Sequence, residues 1–435
     1  MMTDQNTAIG IIGLGYVGLP LSMTFAEKYP TVALDYNRKR LEELKRGNDR
    51  TAQVSTESLR KILKSDRAVK PGGSPGLKIT ENASDLRACN TFIIAVPTPV
   101  DASKRPDLDN LLKATSTIGP LLKKGDVVIY ESTVYPGTTE DICVPILEER
   151  SGLKFNVDFF AAYSPERINP GDQERTIKTI RKVTSGSNLK TADFVDDLYN
   201  SVIEAGTWKT SSIKVAEAAK VIENAQRDIN IAFVNELAKL FSLLNIDTGE
   251  VLEAAATKWN FLPFKPGLVG GHCIGVDPYY LAHKAQELGY HPEIILAGRR
   301  TNDGMGNFVA SELIKCMLTK KLDIRNARAL ILGFSYKENC PDTRNTGVYS
   351  IYQELINYGM AIDICDPVAD ADTTRQEYGL QLIDSIEKID PSEYQAIILA
   401  VAHDQFKNIP LEKKANRVIY DLKSVLEKSA VDKRL

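Results

Sequence analysis

One cysteine in this chain stands where a nucleophile would be wanted. The stretch Gly270-Gly271-His272-Cys273-Ile274-Gly275-Val276-Asp277 sets a thiol among glycines, with a carboxylate four residues on. The same chain opens with Gly13-Leu14-Gly15-Tyr16-Val17-Gly18, a spacing that suits the pyrophosphate of a dinucleotide. A hydride acceptor alone takes an alcohol to an aldehyde. A thiolate beside it can capture that aldehyde and let a second hydride leave, so the product becomes an acid. A free cysteine is more often a small buried hydrophobe. Here the glycine and charged neighbours favour the reactive reading.

These groups need elements to hold them. Ala8 to Ile12 reads as a buried strand, followed by the glycine turn, a helix from about Val17 to Lys28, and a strand from Thr31 to Leu34 ending in Asp35. That is the order of a Rossmann unit. Gly13 and Gly15 permit the tight turn and close backbone approach to pyrophosphate, and Gly18 lets helix and strand pack. Asp35 sits about twenty residues beyond, where a carboxylate binds ribose hydroxyls and favours NAD over NADP. Arg38 and Arg40 nearby leave the 2′-phosphate form open.

Further strands are expected at Thr91–Val96, Asp126–Glu131 and Phe159–Tyr163. They end at Pro97-Thr98-Pro99, Ser132-Thr133 and Ser164-Pro165-Glu166. Open parallel sheets bind ligands beyond the carboxyl ends of their strands, so these segments should line a cofactor and substrate cleft. From Ser211 to Asn245 there is neither glycine nor proline, which predicts a helix about 50 Å long at 1.5 Å per residue. Lys220 and Asn224, four apart, share one face of it. They are either a solvated surface pair or polar groups kept on a packed face to meet a ligand. Their neighbours Ala216, Ala218, Ala219 and Val221 favour packing.

A second α/β unit is expected from Arg328. It has strands at Ala329–Leu332, Ala361–Cys365, Ala396–Ala400 and Arg417–Asp421, a turn at Gly333-Phe334-Ser335-Tyr336-Lys337, and a helix at Thr346–Tyr358. It lacks the full glycine fingerprint, so it should bind a different nucleotide or none. Lys337 and Arg344 suit a diphosphate. The fold class that follows is α/β, with two Rossmann-like doubly wound domains joined by a long central helix.

At 435 residues the chain is too long for one core, and two or three domains are expected. The divisions fall at residues 1–205, 206–315 and 316–435. Hydrophobic content of 43%, charged content of 26% and a net charge of -3 are those of an ordinary globular chain. They give no support for nucleic acid or an anionic membrane as partner. The polar start and the lack of a long apolar run lead us to expect a cytoplasmic protein. Six cysteines without CxxC spacing and only four histidines argue against structural zinc, and no metal is assigned. In a reducing compartment the thiols should stay free.

Taken together the motifs resemble the nucleotide-sugar 6-dehydrogenases, the family of UDP-glucose dehydrogenase, over nearly the whole chain. The resemblance runs through Gly13-x-Gly15-Tyr16-Val17-Gly18-Leu19-Pro20, Val96-Pro97-Thr98-Pro99, Glu131-Ser132-Thr133-Val134-x-Pro136-Gly137-Thr138-Thr139 and Ser164-Pro165-Glu166-Arg167. It continues through Ala219-Lys220-x-x-x-Asn224, Gly270-Gly271-His272-Cys273 with Asp277, and Gly333-Phe334-x-x-Lys337 with Asp342-Thr343-Arg344. It implies that Cys273 traps an aldehyde as a thioester precursor. Lys220 and Asn224 would stabilise charge on the reacting oxygen, Asp277 and Thr133 would hold a water, and Glu166 would act as a base in one of the two steps. NAD would be held by Gly13, Gly15, Tyr16, Val17, Gly18, Asp35, Arg40, Pro97, Thr98, Ser132, Thr133 and Arg344. The UDP-sugar would meet Glu166, Arg167, Asn169, Lys220, Asn224, Lys258, Asn260, Phe264, Lys265, Gly267, Gly270 and Lys337. The resemblance also implies a homodimer with the long helix at its core.

Two departures bear on substrate. Arg167-Ile168-Asn169-Pro170-Gly171 stands where the glucose enzymes carry a phenylalanine and a further acid. Their Phe-Pro-Lys-Asp type sequence is replaced by Ile274-Gly275-Val276-Asp277. Both resemble the branch oxidising UDP-N-acetylhexosamines for bacterial surface polysaccharides. Lys258-Trp259-Asn260-Phe261 is more similar to the N-acetylglucosamine or N-acetylgalactosamine enzymes than to the mannosamine ones. No arginine lies near Lys258 to reach a partner's substrate phosphate, as in many relatives. The alternatives are the galactosamine, mannosamine or glucose substrates, a single-step hydroxyacid dehydrogenase, or a nucleotide-binding scaffold. The last two would leave Cys273 without a task.

Overall fold

The strands of the N-terminal half are short runs dominated by Ile, Val and Phe, the pattern of a parallel sheet covered on both faces. In the computed structural model, which describes residues 6–51, 53–63, 69–101, 103–168 and 175–435, they form β1 (Ile9–Ile12), β2 (Pro30–Leu34), β3 (Gly76–Thr80), β4 (Thr91–Ile94), β5 (Val127–Tyr130) and β6 (Phe160–Tyr163). All pair parallel in the order β3-β2-β1-β4-β5-β6. The order reverses between β1 and β4, the switch point where such sheets bind ligands. Side chains alternate between two cores. Ile9, Ile11, Ile93, Val127 and Ile129 enter one, and Ile12, Phe92, Ile94, Val128 and Tyr130 the other.

β4 was expected to reach Val96 but stops at Ile94. There Ser132 takes over, its N–H donating to the Ile94 carbonyl at 3.3 Å and its hydroxyl to that of Val96 at 2.7 Å. The first helix, Gly18–Ala26, ends before Lys28 because Pro30 follows and disfavours helical backbone at Tyr29. β3 escaped notice because Lys78 breaks its apolar run. Its ammonium pairs with Asp85 at 3.0 Å beside an edge strand. The three-residue strands β7 (Lys182–Thr184) and β8 (Thr207–Lys209), which pair parallel, are too short to carry a period.

The second sheet holds β9 (Arg328–Leu332), β10 (Ala361–Cys365), β11 (Ala396–Leu399), β12 (Val418–Asp421) and the unforeseen β13 (Lys433–Arg434), all parallel in the order β10-β9-β11-β12-β13. Its alternation repeats that of the first sheet, with Ala329, Ile331 and Ile398 on one side and Leu330, Leu332 and Ile397 on the other. Both sheets use the same device at the first turn. Asp35, just past β2, accepts from the Leu14 N–H at 2.8 Å, and Asp366, just past β10, accepts from the Phe334 N–H at 2.7 Å.

The glycine-free stretch is one helix, Ile213–Leu244. By compactness the chain forms two units: Met1–Glu223 with Tyr279–Glu287, and Asn224–Pro278 with Leu288–Leu435. Among the described residues no helix is long and apolar enough to cross a membrane.

The glycine turn is the tightest point of the first unit. A Cβ on Gly18 would lie 1.8 Å from the Gly13 carbonyl oxygen, and Gly13 itself has φ +97°. Gly18 therefore packs mainly against the turn rather than on the strand. Gly18→Ala should cost about 1–3 kcal/mol, the usual range for overpacking, and abolish NAD binding. A urea midpoint and an NAD affinity equal to wild type would refute this.

Candidate active site

In the first unit, the segments beyond the strand ends are stitched to one another. The Thr98 hydroxyl donates to the Thr133 carbonyl at 2.7 Å, and the Tyr280 hydroxyl donates to the Thr98 carbonyl at 2.8 Å. Pro97 is exposed, Thr98 and Thr133 are half-buried and Ser132 is buried. Glu217, on the long helix and 0% exposed, accepts from the N–H groups of Gly137 and Thr139 at 2.6 and 2.9 Å. Burial pushes its carboxyl up to about 7 against those bonds. The loop carrying Thr133 is thereby tied to the helix carrying Lys220.

The dinucleotide motif fits NAD on its own geometry. A Cβ on Gly15 would meet nothing within 4 Å, so the missing side chain leaves open space over a turn that Gly13 and Gly18 make tight. Tyr16 and Val17 are half-buried on that turn. Asp35 accepts from Asn37 N–H at 2.8 Å with its second oxygen. Arg40 has a different task from Asp35. It is 3% exposed, its guanidinium donates to the Leu14 carbonyl at 3.0 Å, and it pairs with Asp49 at 2.7 Å, so it props the glycine turn from beneath.

Lys220 is 6% exposed and Asn224 5%, which rules out the solvated surface pair. Glu166 is also buried. One oxygen accepts from the N–H groups of Arg167 and Ile168 at 2.5 and 2.8 Å, and the other from Lys182 at 3.0 Å. Arg167 pairs with Glu223 at 3.2 Å. Asn169 lies outside the described residues.

The second unit brings Cys273, Asp277 and Asn224 together. Asp277 opens the helix Asp277–Glu287 and donates its N–H to the Cys273 carbonyl at 2.9 Å. Asn224 donates its amide to the Asp277 carboxylate at 2.5 Å, and its oxygen accepts from Arg227 at 3.2 Å, so the amide can face only one way. The two glycines before the cysteine are sterically required. A Cβ on Gly270 would sit 2.8 Å from the Asn345 carbonyl oxygen, and one on Gly271 (φ +78°) 2.8 Å from the Tyr336 ring. Gly271 N–H donates to the Arg344 carbonyl at 3.1 Å.

Arg344 is bidentate on Asp342, at 2.8 and 2.6 Å. Burial alone would raise the Asp342 carboxyl, but Arg344 outweighs it and holds it below the usual carboxylate range. Burial and the Arg344 charge pull His272 down to about 4, so its ring is neutral beside the thiol. Burial pushes Cys89, Cys143 and Cys365 up to about 12 and raises Cys316 and Cys340 as well. Cys273 and Cys316 are partly exposed, and Cys273 is the one in the glycine loop.

Lys258, Asn260 and Lys265 are exposed, Phe264 and Lys337 half-buried, and Gly267 buried. Asn235 clamps Gly267 from both sides, accepting from its N–H at 2.8 Å and donating to its carbonyl at 3.0 Å. Asn235 also donates to Asn302 at 2.8 Å, while Arg299 and Asn302 bind Asp228 at 2.6 and 2.7 Å. Sequence reasoning missed Asp228, Asn235, Arg299 and Asn302. A signal existed for the first two, since amides and acids recur on one unbroken helix at 224, 228 and 235. Lys182 and Tyr199 had none.

A doubly wound sheet with this glycine turn, in a chain that also carries a second parallel sheet and a half-exposed thiol in a glycine loop, defines an NAD-dependent dehydrogenase. Residues 7–203 match the NAD binding domain of the UDP-glucose/GDP-mannose dehydrogenase family, 214–304 its central domain and 330–428 its UDP binding domain. The chain belongs to that family, and its cofactor is NAD. It is 54% identical to UDP-N-acetyl-D-glucosamine 6-dehydrogenase of Pseudomonas aeruginosa, covering 99% of this chain and 100% of that protein. It is 53% identical to the enzyme of that name from Salmonella typhi, with 100% of both covered. Among solved structures it is similar to a UDP-glucose dehydrogenase from Pyrobaculum islandicum, at 25% identity and a TM-score of 0.86, covering 100% of this chain and 98% of that one.

Asn235→Ala should free the Gly267 peptide and leave its buried groups unpaired, at about 1–3 kcal/mol each. Hydrogen exchange at the Gly267 amide should become fast. Wild-type protection there would mean that the clamp does not hold this loop.

Proposed function

We propose that the protein oxidises the 6-hydroxymethyl group of UDP-N-acetylglucosamine to the uronic acid, for surface polysaccharide synthesis. The observation that carries this reading is the Cys273–Asp277–Asn224 cluster, a half-exposed cysteine whose carbonyl accepts from the Asp277 N–H and a carboxylate whose amide partner is fixed in orientation. The choice of sugar is supported by the two relatives above 50% identity and by the residues around Lys258 and Cys273.

NAD, when bound, accepts one hydride in each of two oxidations. In the first, a base takes the hydroxyl proton as the C6 hydride leaves, giving an aldehyde. Cys273 then adds its thiolate to the aldehyde carbon, forming a C–S bond and an oxyanion. The Lys220 ammonium and Asn224 amide donate to that oxygen, which in a dry site is worth far more than in water. Loss of the second hydride leaves a thioester on Cys273. Water then attacks, the C–S bond breaks, and the thiolate returns as the uronate departs. Asp277 and Thr133 hold that water, and Glu166 takes its proton.

The remaining roles follow the same reading. Residues 1–205 hold NAD through Gly13, Gly15, Tyr16, Val17, Gly18, Asp35, Pro97, Thr98, Ser132 and Thr133, with Arg40 bracing the turn and Arg344 adding a contact. Residues 206–315 carry the cysteine loop and associate as a homodimer. Ile222, Phe233, Leu240, Leu243 and Leu244, each at least 47% exposed on the long helix, support that association. Residues 316–435 hold the UDP portion with Lys337, assisted by Lys258, Asn260, Phe264, Lys265, Gly267 and Gly270. Arg167 and Asn169 lie toward the sugar. Six unpaired thiols suit a cytoplasmic enzyme.

Two measurements test this. NADH released per UDP-N-acetylglucosamine consumed should approach about two, one for each hydride accepted. A ratio of one would remove the thiol pathway. Cys273→Ala should lower uronate formation by at least about a thousandfold, the scale on which loss of a nucleophile is felt, with NAD affinity intact. Uronate at the normal rate from that variant would show that no covalent step occurs.

A further inference from the structure

The first unit buries one charged cluster that the proposed reaction leaves without a full account. Glu131 stands just past β5, Glu166 beyond β6, Lys182 at the start of β7, and Tyr199 in the helix Leu189–Asn200. Their exposures are 2%, 7%, 3% and 0%. The Lys182 ammonium donates to Glu131 at 2.5 Å and to Glu166 at 3.0 Å, and lies 5.4 Å from the centre of the Tyr199 ring. The Tyr199 hydroxyl donates to the other oxygen of Glu131. With the Arg167 and Ile168 N–H groups on Glu166, all four carboxylate oxygens have donors.

Burying two acids and one base costs stability, and apolar residues of similar volume often serve a core as well or better. Glu131 and Glu166 lie at the carboxyl ends of adjacent strands, the edge at which such sheets work. We infer that Lys182 is a positioning residue: anchored on Glu131, its ammonium fixes the Glu166 carboxylate, and with it the Arg167–Ile168 backbone that enters the substrate segment. This rests on the proposed role of Glu166 as the base.

The groups facing Lys182 are Glu131 from β5, Glu166 from the segment after β6, and Tyr199 from its helix. Burial, and then the charge of Glu166, push Glu131 up to about 7 against the pull of Lys182. Burial opposes the charge on Lys182, but the two carboxylates outweigh it and its ammonium titrates above the ordinary lysine range. Near neutrality Glu131 can take up a proton, which leaves the Lys182 charge to Glu166. The cluster thus holds a base in one orientation and keeps a spare proton one residue away.

The test compares full-length Lys182→Met, Glu131→Gln and Glu166→Gln, reading uronate formation from UDP-N-acetylglucosamine against pH at saturating NAD. Removing the ammonium leaves two neighbouring buried carboxylates competing for protons. Lys182→Met should therefore move the acid limb of the kcat profile to higher pH by about one unit or more and lower kcat at least tenfold, with the NAD dissociation constant within twofold of wild type. Glu131→Gln, which dedicates Lys182 to Glu166, should move that limb to lower pH. A purely structural cluster would change stability and leave the limbs in place. If Lys182→Met folds and keeps the wild-type kcat and profile while Glu166→Gln is impaired, the positioning role is wrong and the base assignment survives. If Lys182→Met does not fold, an unchanged Glu131→Gln profile overturns the proposal instead. A fully active Glu166→Gln removes the base assignment and the inference with it.

Discussion

The long helix Ile213–Leu244 carries a row of buried polar side chains, and several of them are hydrogen-bonded to segments distant in sequence. Glu217 accepts from the turn after Thr133, Asn224 donates to Asp277, Asp228 binds Arg299 and Asn302, and Asn235 clamps Gly267. A polar group buried without a partner costs roughly 1–3 kcal/mol. Each of these contacts is therefore enforced from both sides: the long helix and the segment it meets both bury a polar group there. With no glycine or proline between its ends, the helix keeps these positions at fixed turn spacing. Small changes in it should be felt in several loops together.

Packing sets the surroundings of the six thiols apart. Cys89, Cys143 and Cys365 lie in apolar cores that disfavour the thiolate, and burial raises Cys316 and Cys340 too. Cys273 is set in a loop whose glycines let the Tyr336 ring and the Asn345 carbonyl come within contact distance of the backbone. The same crowding makes the loop rigid, since Gly271 is bonded through its N–H to Arg344 and through its carbonyl to the Asn345 amide at 3.2 Å. These contacts hold Cys273 in one place.

The two sheets also show how one topology can be held by different chemistry. Each ends its second strand in an aspartate that accepts backbone N–H groups from the first turn. In the first unit that turn is the full glycine motif, and Arg40 with Asp49 supports it. In the second, Asp366 is joined by His403 and Ser335: the Asp366 carboxylate and the Ser335 hydroxyl each lie 3.1 Å from Nε2 of His403, and all three are fully or nearly fully buried. Nδ1 of His403 accepts from the Asn339 N–H at 2.9 Å, so this trio is a brace for the Ser335–Asn339 turn, not a nucleophilic triad.

Much of this was legible in the residues alone. Short, mostly apolar runs announced buried parallel sheets, the glycine spacing located the dinucleotide turn, and an unbroken stretch without helix breakers announced the long helix. Cys273, Lys220, Asn224 and Asp277 stood out by their types, spacing and neighbours. These signals are local, resting on backbone geometry and on period. What only the tertiary structure decided was partnership. Lys182 reaches Glu166 from 16 residues away and Glu131 from 51, and Asn235 reaches Gly267 across 32. No period or motif encodes such pairings, because they arise when separate strands and helices close over the same buried volume and every polar group left inside must find a partner.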